Sequence, residues 1–270
     1  MANYFGPYDV EEQAAAPNAL WTARRELADA LRRLNSLAVT SMADAEVYTR
    51  MAGQINAQAD TLARSEQQRG KLEQMDPDLD YAQQRSTVSH EISPLTGLSN
   101  PIAPPMNIWF EDDKVKASVT MGWQFEGPPG CIHGGYIAAL FDDFLGVGQK
   151  LTGKIGFTGT IQIRYIKPTP LDQEIKLVGW LERQDGRKNT LRGEMYAGNT
   201  LTASADGLFI QMPVLSYRDS SAEDAAHHAA EHVAEHVAKS VAGETESIGG
   251  RKELSRSDAL KAADKGKRRP

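Results

Sequence analysis

Cysteine is nearly missing: Cys131 stands alone among 270 residues, so no disulfide can close within the chain. Long apolar runs are missing too, and none approaches the roughly 20 residues that a bilayer-spanning helix needs. The stretch Met1 to Glu12 holds neither a basic run nor an apolar core, so it does not read as a secretory signal. Positive charge is not in excess. Lys and Arg number 30 against 36 Asp and Glu, and the net charge of −6 gives no overall attraction to nucleic acid or anionic membrane. These absences lead to the expectation of a soluble cytoplasmic protein with no nucleic-acid and no membrane partner. What is present suits a folded core: 40% hydrophobic and 24% charged residues are ordinary globular values, in a chain long enough for one sizeable domain with appendages.

Three textures follow one another. In the first, Leu20, Leu27, Leu31 and Leu34 recur at helical spacing after Pro17, and Val47, Met51, Ile55 and Leu62 repeat the pattern with Ala59 in the gap. Such a stripe is expected to pack on the domain or on a partner subunit. Gln67 to Ser93 is polar and reads as a connector. A proline-rich entry then leads to strand-like runs: Lys114 to Met121, Thr158 to Lys167, Glu174 to Arg183, and Thr190 to Met212, the last broken by the turn pair Gly198-Asn199. Between the first two lies a long apolar segment, Gly135 to Val147, of helical character. Strands, one buried helix, then tightly connected strands make an α+β fold, a helix wrapped by an antiparallel sheet. From Val214 onward the composition turns to Ala, Glu, Ser, Lys and Arg and cannot offset its ordering entropy, so disorder is expected there. The boundaries are 1–85 for a helical extension, 86–99 for a connector, 100–213 for the main domain and 214–270 for the tail.

The chemistry is concentrated in Glu126 to Asp143, which reads EGPPGCIHGGYIAALFDD. A turn opens into a helix whose first turn carries two glycines, so unpaired N–H groups and the helix dipole face outward, as an oxyanion hole requires. Gly135, Ala138, Ala139, Asp142 and Gly146 form one stripe of small residues with a single carboxylate in it. Asp143 falls on another face, beside Tyr136, Leu140 and Val147. At ~1.5 Å per residue, Gly134 and Asp142 stand about 12 Å apart along one helix. A carbonyl held at the Gly134 amide is out of reach of the same chain's acid, whereas an antiparallel second copy brings the two together. A two-fold homodimer with composite sites is therefore expected, with a tetramer left open.

The stretch resembles the signature of the PaaI-type hotdog-fold acyl-CoA thioesterases, in particular the thioesterase-superfamily-member branch through its Gly-Pro-Pro-Gly lead-in. The resemblance continues in Thr158 to Pro168 (TGTIQIRYIKP) and in Gly207 to Ile210 (GLFI). It implies a hotdog fold, a sheet wrapped around a central helix, and hydrolysis of an acyl-CoA to free acid and CoA. By the same resemblance, Asp142 is the general base that activates water, with nucleophilic attack as the alternative. The N–H of Gly134, with that of Gly135, polarises the thioester carbonyl; His133 orients that carbonyl or supports the turn; Thr158, from the neighbouring subunit's strand, positions the water. Some relatives carry an Asn six residues before the His, where Gly127 stands here. No cofactor or metal is expected, since CoA is part of the substrate. Its phosphates call for cations, and Arg187 and Lys188 at the Asp185-Gly186 loop tip come first, with Arg164 and Lys167 as further candidates. The competing function is a non-catalytic acyl-CoA-binding sensor.

Two decoys are set aside. Cys131, two residues from His133, reads as an inert buried thiol rather than a nucleophile. The tail run His228-Ala-Ala-Glu-His232-Val-Ala-Glu-His236 repeats a metalloprotease-like spacing, but it arises from an Ala/Glu/His repeat with no core around it.

Overall fold

The structure, a computed structural model, describes residues 16, 18–74, 88, 90–153 and 156–211. The tail expected over 214–270, with its histidine run, lies outside the described residues, as do residues 75–87 and 89 before and within the connector. Helix α1 spans Ala19–Thr40 and α2 spans Ala45–Ala63, with a single helical turn at Gly70–Glu73. The domain proper holds β1 (Asn107–Glu111), β2 (Lys114–Thr120), α3 (Gly134–Gly148), β3 (Gly156–Tyr165), β4 (Glu174–Asp185), β5 (Lys188–Ala197) and β6 (Thr200–Gln211). The strands form one antiparallel sheet in the order β1-β2-β4-β5-β6-β3, with β1 and β3 at its edges. This is the hotdog arrangement that the resemblance implies.

Turn chemistry sets the register. Gly198 has φ +57° and Gly186 φ +55°, the left-handed conformation that glycine adopts freely in hairpin turns. The β1–β2 turn reaches the same region with Asp112 (φ 51°) and Asp113 (φ 55°), residues that tolerate it better than most. No glycine marks that turn, so the sequence carries little signal for β1.

Helix α3 is buried along Ile137, Leu140, Phe141, Phe144, Leu145 and Gly148, against Val115, Leu177, Leu191, Met195 and Phe209 of the sheet. Three sheet glycines make room for it. A Cβ on Gly179 would come within 2.9 Å of the Phe144 ring, one on Gly193 within 3.1 Å of Leu145, and one on Gly207 within 3.2 Å of Leu145. They occupy adjacent strands β4, β5 and β6, so the sheet presents a shallow groove in which the helix lies closer than larger residues would permit. Each large side chain buried there is worth about 1.5–3 kcal/mol.

The N-terminal helix docks in an unexpected way. Leu20 is 60% exposed and Leu27 45%, whereas Trp21 (8%) and Ala28 (1%) are buried. The leucine stripe is therefore split: Leu20 and Leu27 face outward, Leu31 and Leu34 are half-buried, and α2 buries no residue fully. The inward face of α1 is polar at its centre. Arg25 Nη2 lies 2.5 Å from the carboxylate of Glu91, a side chain with no exposure, which Ser99 Oγ also approaches at 2.5 Å. Arg32 donates to the carbonyls of Asn100 (2.8 Å) and Leu98 (3.1 Å). A wheel diagram marks such a face as solvent-directed because it cannot anticipate the buried carboxylate that compensates it.

The segment gripped by α1 also reaches α3. Ser93 Oγ donates to Asp143 Oδ2 at 3.2 Å. Burial pushes the Asp143 carboxyl above the usual carboxylate range. Hydrogen bonds from Thr96 and Ser93 and the charge of Lys71 pull it back, and the Asp142 charge pushes the same way as burial.

Two expectations follow. Arg25→Ala leaves the Glu91 carboxylate buried without its cation and loosens the docking of α1 by about 3 kcal/mol, whereas Leu27→Ala changes it by less than about 0.5 kcal/mol; amide hydrogen exchange along α1 measures both. A carboxyl whose pKa is higher folded than unfolded contributes fully below the unfolded value and loses that contribution as pH rises through the folded one. The contribution of Asp143 to stability should thus be lost as pH climbs from about 4, so the pH dependence of stability in wild type and Asp143→Asn should differ by that loss. Urea unfolding midpoints across the pH range test this, and an identical slope in both proteins would contradict it.

Candidate active site

The loop before α3 is built on itself. Gly127 N–H donates to Cys131 O (2.9 Å), and Gly130 N–H donates to Glu126 Oε1 (2.7 Å). His133 N–H donates to Phe125 O (2.9 Å), which ties the helix start to the short 3-10 turn Trp123–Phe125. A Cβ at Gly127 would lie 2.6 Å from His133 Cα. An asparagine there would have to displace the histidine, which is the physical reason this loop carries glycine.

His133 is the N-cap of α3, with extended backbone (φ −60°, ψ 133°). Its Nδ1 accepts from Gly135 N–H at 3.0 Å. The Gly135 amide is thus engaged by the protein's own side chain in the single chain. The Gly134 N–H is left without an acceptor among the described residues, because the first amides of a helix have no partner inside it. With Nδ1 accepting, the neutral imidazole carries its proton on Nε2, so the exposed His133 ring offers a further N–H donor. One open amide and one imidazole N–H thus stand where two backbone amides were anticipated.

Asp142 is exposed, and its Oδ1 accepts from Thr158 Oγ1 at 2.8 Å. A β-bulge makes this contact. The register of β3 on β6 shifts between Thr158 and Thr160, so Thr158 pairs with fully buried Phe209 and turns to the helix side, while Thr160 pairs with Leu208. Acid and hydroxyl therefore come from one chain. The neighbouring Asp143 is turned into the protein against Ser93, so the two adjacent carboxylates meet opposite environments.

The expected cations are not gathered around α3 in the single chain. The Arg187 guanidinium donates twice to Gln211 O, at 3.1 and 3.0 Å. Gln211 pairs with Gly156, whose N–H donates to Gln149 Oε1 (2.7 Å), so this hairpin tip adjoins the C-terminal end of α3, away from Gly134. Lys188 is exposed beside it. Arg164 is exposed on β3 and alternates with Ile163 and Tyr165, which places it on the sheet face turned from the helix. Cys131 is half-buried, with its thiol 3.5 Å from Pro129 O. No group of His, Cys, Asp or Glu among the described residues could hold a metal, and no helix among them is long and apolar enough to cross a membrane. One contact had no sequence signal: Tyr165 Oη donates to Gly134 O at 3.0 Å.

Comparison with known proteins bears on the family and the fold. The family model described as the thioesterase superfamily matches residues 129–204. Acyl-coenzyme A thioesterase THEM4 of Bos taurus is 31% identical over 108 residues, 38% of this chain and 44% of that protein. Acyl-coenzyme A thioesterase THEM5 of Homo sapiens is 29% identical over 93 residues, 34% of this chain and 38% of that protein. The chain thus spans less than half the length of these two curated relatives. A crystal structure of a thioesterase superfamily protein is 32% identical with a TM-score of 0.56, over 69% of this chain and 94% of that one. A likeness that takes in nearly all of such a relative, on a sheet and helix of the same kind, decides the family: the chain belongs to the thioesterase superfamily.

Proposed function

We propose that the protein hydrolyses an acyl-CoA thioester to the free acid and CoA. The observation that carries the reading is the exposed Asp142 carboxylate held at 2.8 Å by the Thr158 hydroxyl. Thr158 occupies one lone pair of Oδ1 and leaves Oδ2 to take a proton from water. The water oxygen adds to the thioester carbonyl, whose oxygen gathers the negative charge. The Gly134 N–H and the His133 Nε2–H are donors of the kind that stabilise such charge. Collapse breaks the C–S bond, and the proton first taken by Asp142 goes to the departing CoA sulfur. One water is consumed, with no metal or cofactor required.

Eight residues of helix, about 12 Å, separate the Gly134 amide from Asp142. The proposal therefore takes the amide and His133 from one copy of the chain and the Asp142–Thr158 pair from a second, antiparallel copy. Support for an acyl-CoA substrate comes from the two curated relatives, both named acyl-coenzyme A thioesterases.

Release of free CoA from a panel running from acetyl- and phenylacetyl- to palmitoyl-CoA tests the reading. Wild-type protein should turn over at least one member. Asp142→Asn should lower kcat by at least ~100-fold, within the range that loss of a general base allows, and Thr158→Val should lower it by about tenfold. A wild type that binds acyl-CoA without releasing CoA would replace the enzyme by a ligand sensor.

A further inference from the structure

Resting on that reading of the site, the geometry points to Tyr165 as a positioning residue that sets the tautomer and orientation of the His133 imidazole through the Gly134–Gly135 peptide. That peptide is gripped from both sides. Its carbonyl, on Gly134, accepts from Tyr165 Oη at 3.0 Å. Its N–H, on Gly135, donates to His133 Nδ1 at 3.0 Å. In a trans peptide these two groups point in opposite directions, so the tyrosine and the histidine hold one rigid plane between them. The tyrosine ring also rests against the glycine, since a Cβ on Gly134 would lie 3.4 Å from Tyr165 Cε1.

A hydrogen bond into the carbonyl oxygen polarises the amide and strengthens its N–H as a donor. The run Tyr165 O–H to Gly134 C=O, Gly135 N–H to His133 Nδ1 therefore favours the ring form with Nδ1 bare and the proton on Nε2. The peptide one step earlier is fixed by other means: His133 O accepts from Tyr136 N (2.9 Å) and Ile137 N (3.3 Å). Its N–H, on Gly134, stays open. Tyr165 thus acts on the imidazole donor and leaves the amide donor alone.

Its surroundings separate this role from a merely structural one. Tyr165 is 57% exposed near the end of edge strand β3, so removing its hydroxyl opens no cavity and strands no buried polar group. The same strand carries Thr158, bonded to Asp142, near its other end. One strand therefore ties α3 at both the donor end and the acid end.

Tyr165→Phe keeps the ring and deletes one hydroxyl. It should lower kcat about five- to tenfold, as the loss of one hydrogen bond allows, with KM nearly unchanged and the unfolding midpoint within about 2 °C. Nitrogen-15 spectra of labelled His133 should show the neutral ring moving from one tautomer toward a mixture. In a Tyr165→Phe/His133→Ala double variant, the tyrosine change should add nothing further. If wild type hydrolyses acyl-CoA while Tyr165→Phe matches it in kcat and in the His133 spectrum, the inference fails and the proposed function stands. A fall in kcat with an unaltered spectrum, or a rise in KM alone, overturns it as well. If wild type hydrolyses nothing, the proposed function fails, and the His133 spectrum still decides whether Tyr165 sets the ring.

Discussion

The seating of α3 in its sheet governs everything else in the domain. Gly179, Gly193 and Gly207 let the helix sink until Phe141, Phe144 and Leu145 fill the space above them. A helix held this closely cannot rotate about its axis without driving large side chains into backbone. Its rotation then fixes which residues look outward. Asp142 meets the Thr158 hydroxyl, Asp143 is turned toward Ser93, and the first turn presents Gly134 beside Tyr165. A nonspecific apolar contact thus decides the placement of each polar group that the chemistry would use.

That placement gives two adjacent carboxylates different tasks. Asp143, pushed upward by burial, belongs to the bonding between α3 and the segment that α1 grips through Glu91. Asp142 stands in the open with one hydroxyl partner. The donor end is equally particular: His133 closes one amide with its own Nδ1 and offers Nε2–H in exchange. Gly127, where a side chain would collide with His133, belongs to the same economy of space.

Much of this was legible in the sequence. Alternation and the Gly198-Asn199 turn marked the strands, and the glycine pair after His133 marked the helix start. The stripe containing Asp142 separated it from Asp143, as the structure does. What escaped was information carried by partners distant in the chain. The leucine stripe of α1 was visible, but the buried Glu91 that draws the arginine face inward was not, because a helical wheel prices Arg25 as solvated. The Gly135 amide read as open because its acceptor depends on the His133 rotamer. Thr158 reaches the helix side only through a bulge, and Tyr165 contacts Gly134 across a separation of 31 residues. The use of the cations depends on where a long substrate lies, which neither the sequence nor a single chain specifies.

The central claim is that the open amide and the acid serving one carbonyl belong to different copies of the chain. Gly134→Pro deletes the amide hydrogen at the first helical position, where proline is accommodated, and the extended backbone of His133 suits a following proline. Chains carrying Gly134→Pro and chains carrying Asp142→Asn can be co-expressed with different tags and the mixed dimers isolated. Each mixed dimer should hold one intact site and show about half the wild-type turnover, although both parents are inactive. Mixed dimers as inactive as the parents, or a chain that forms none, would contradict the account.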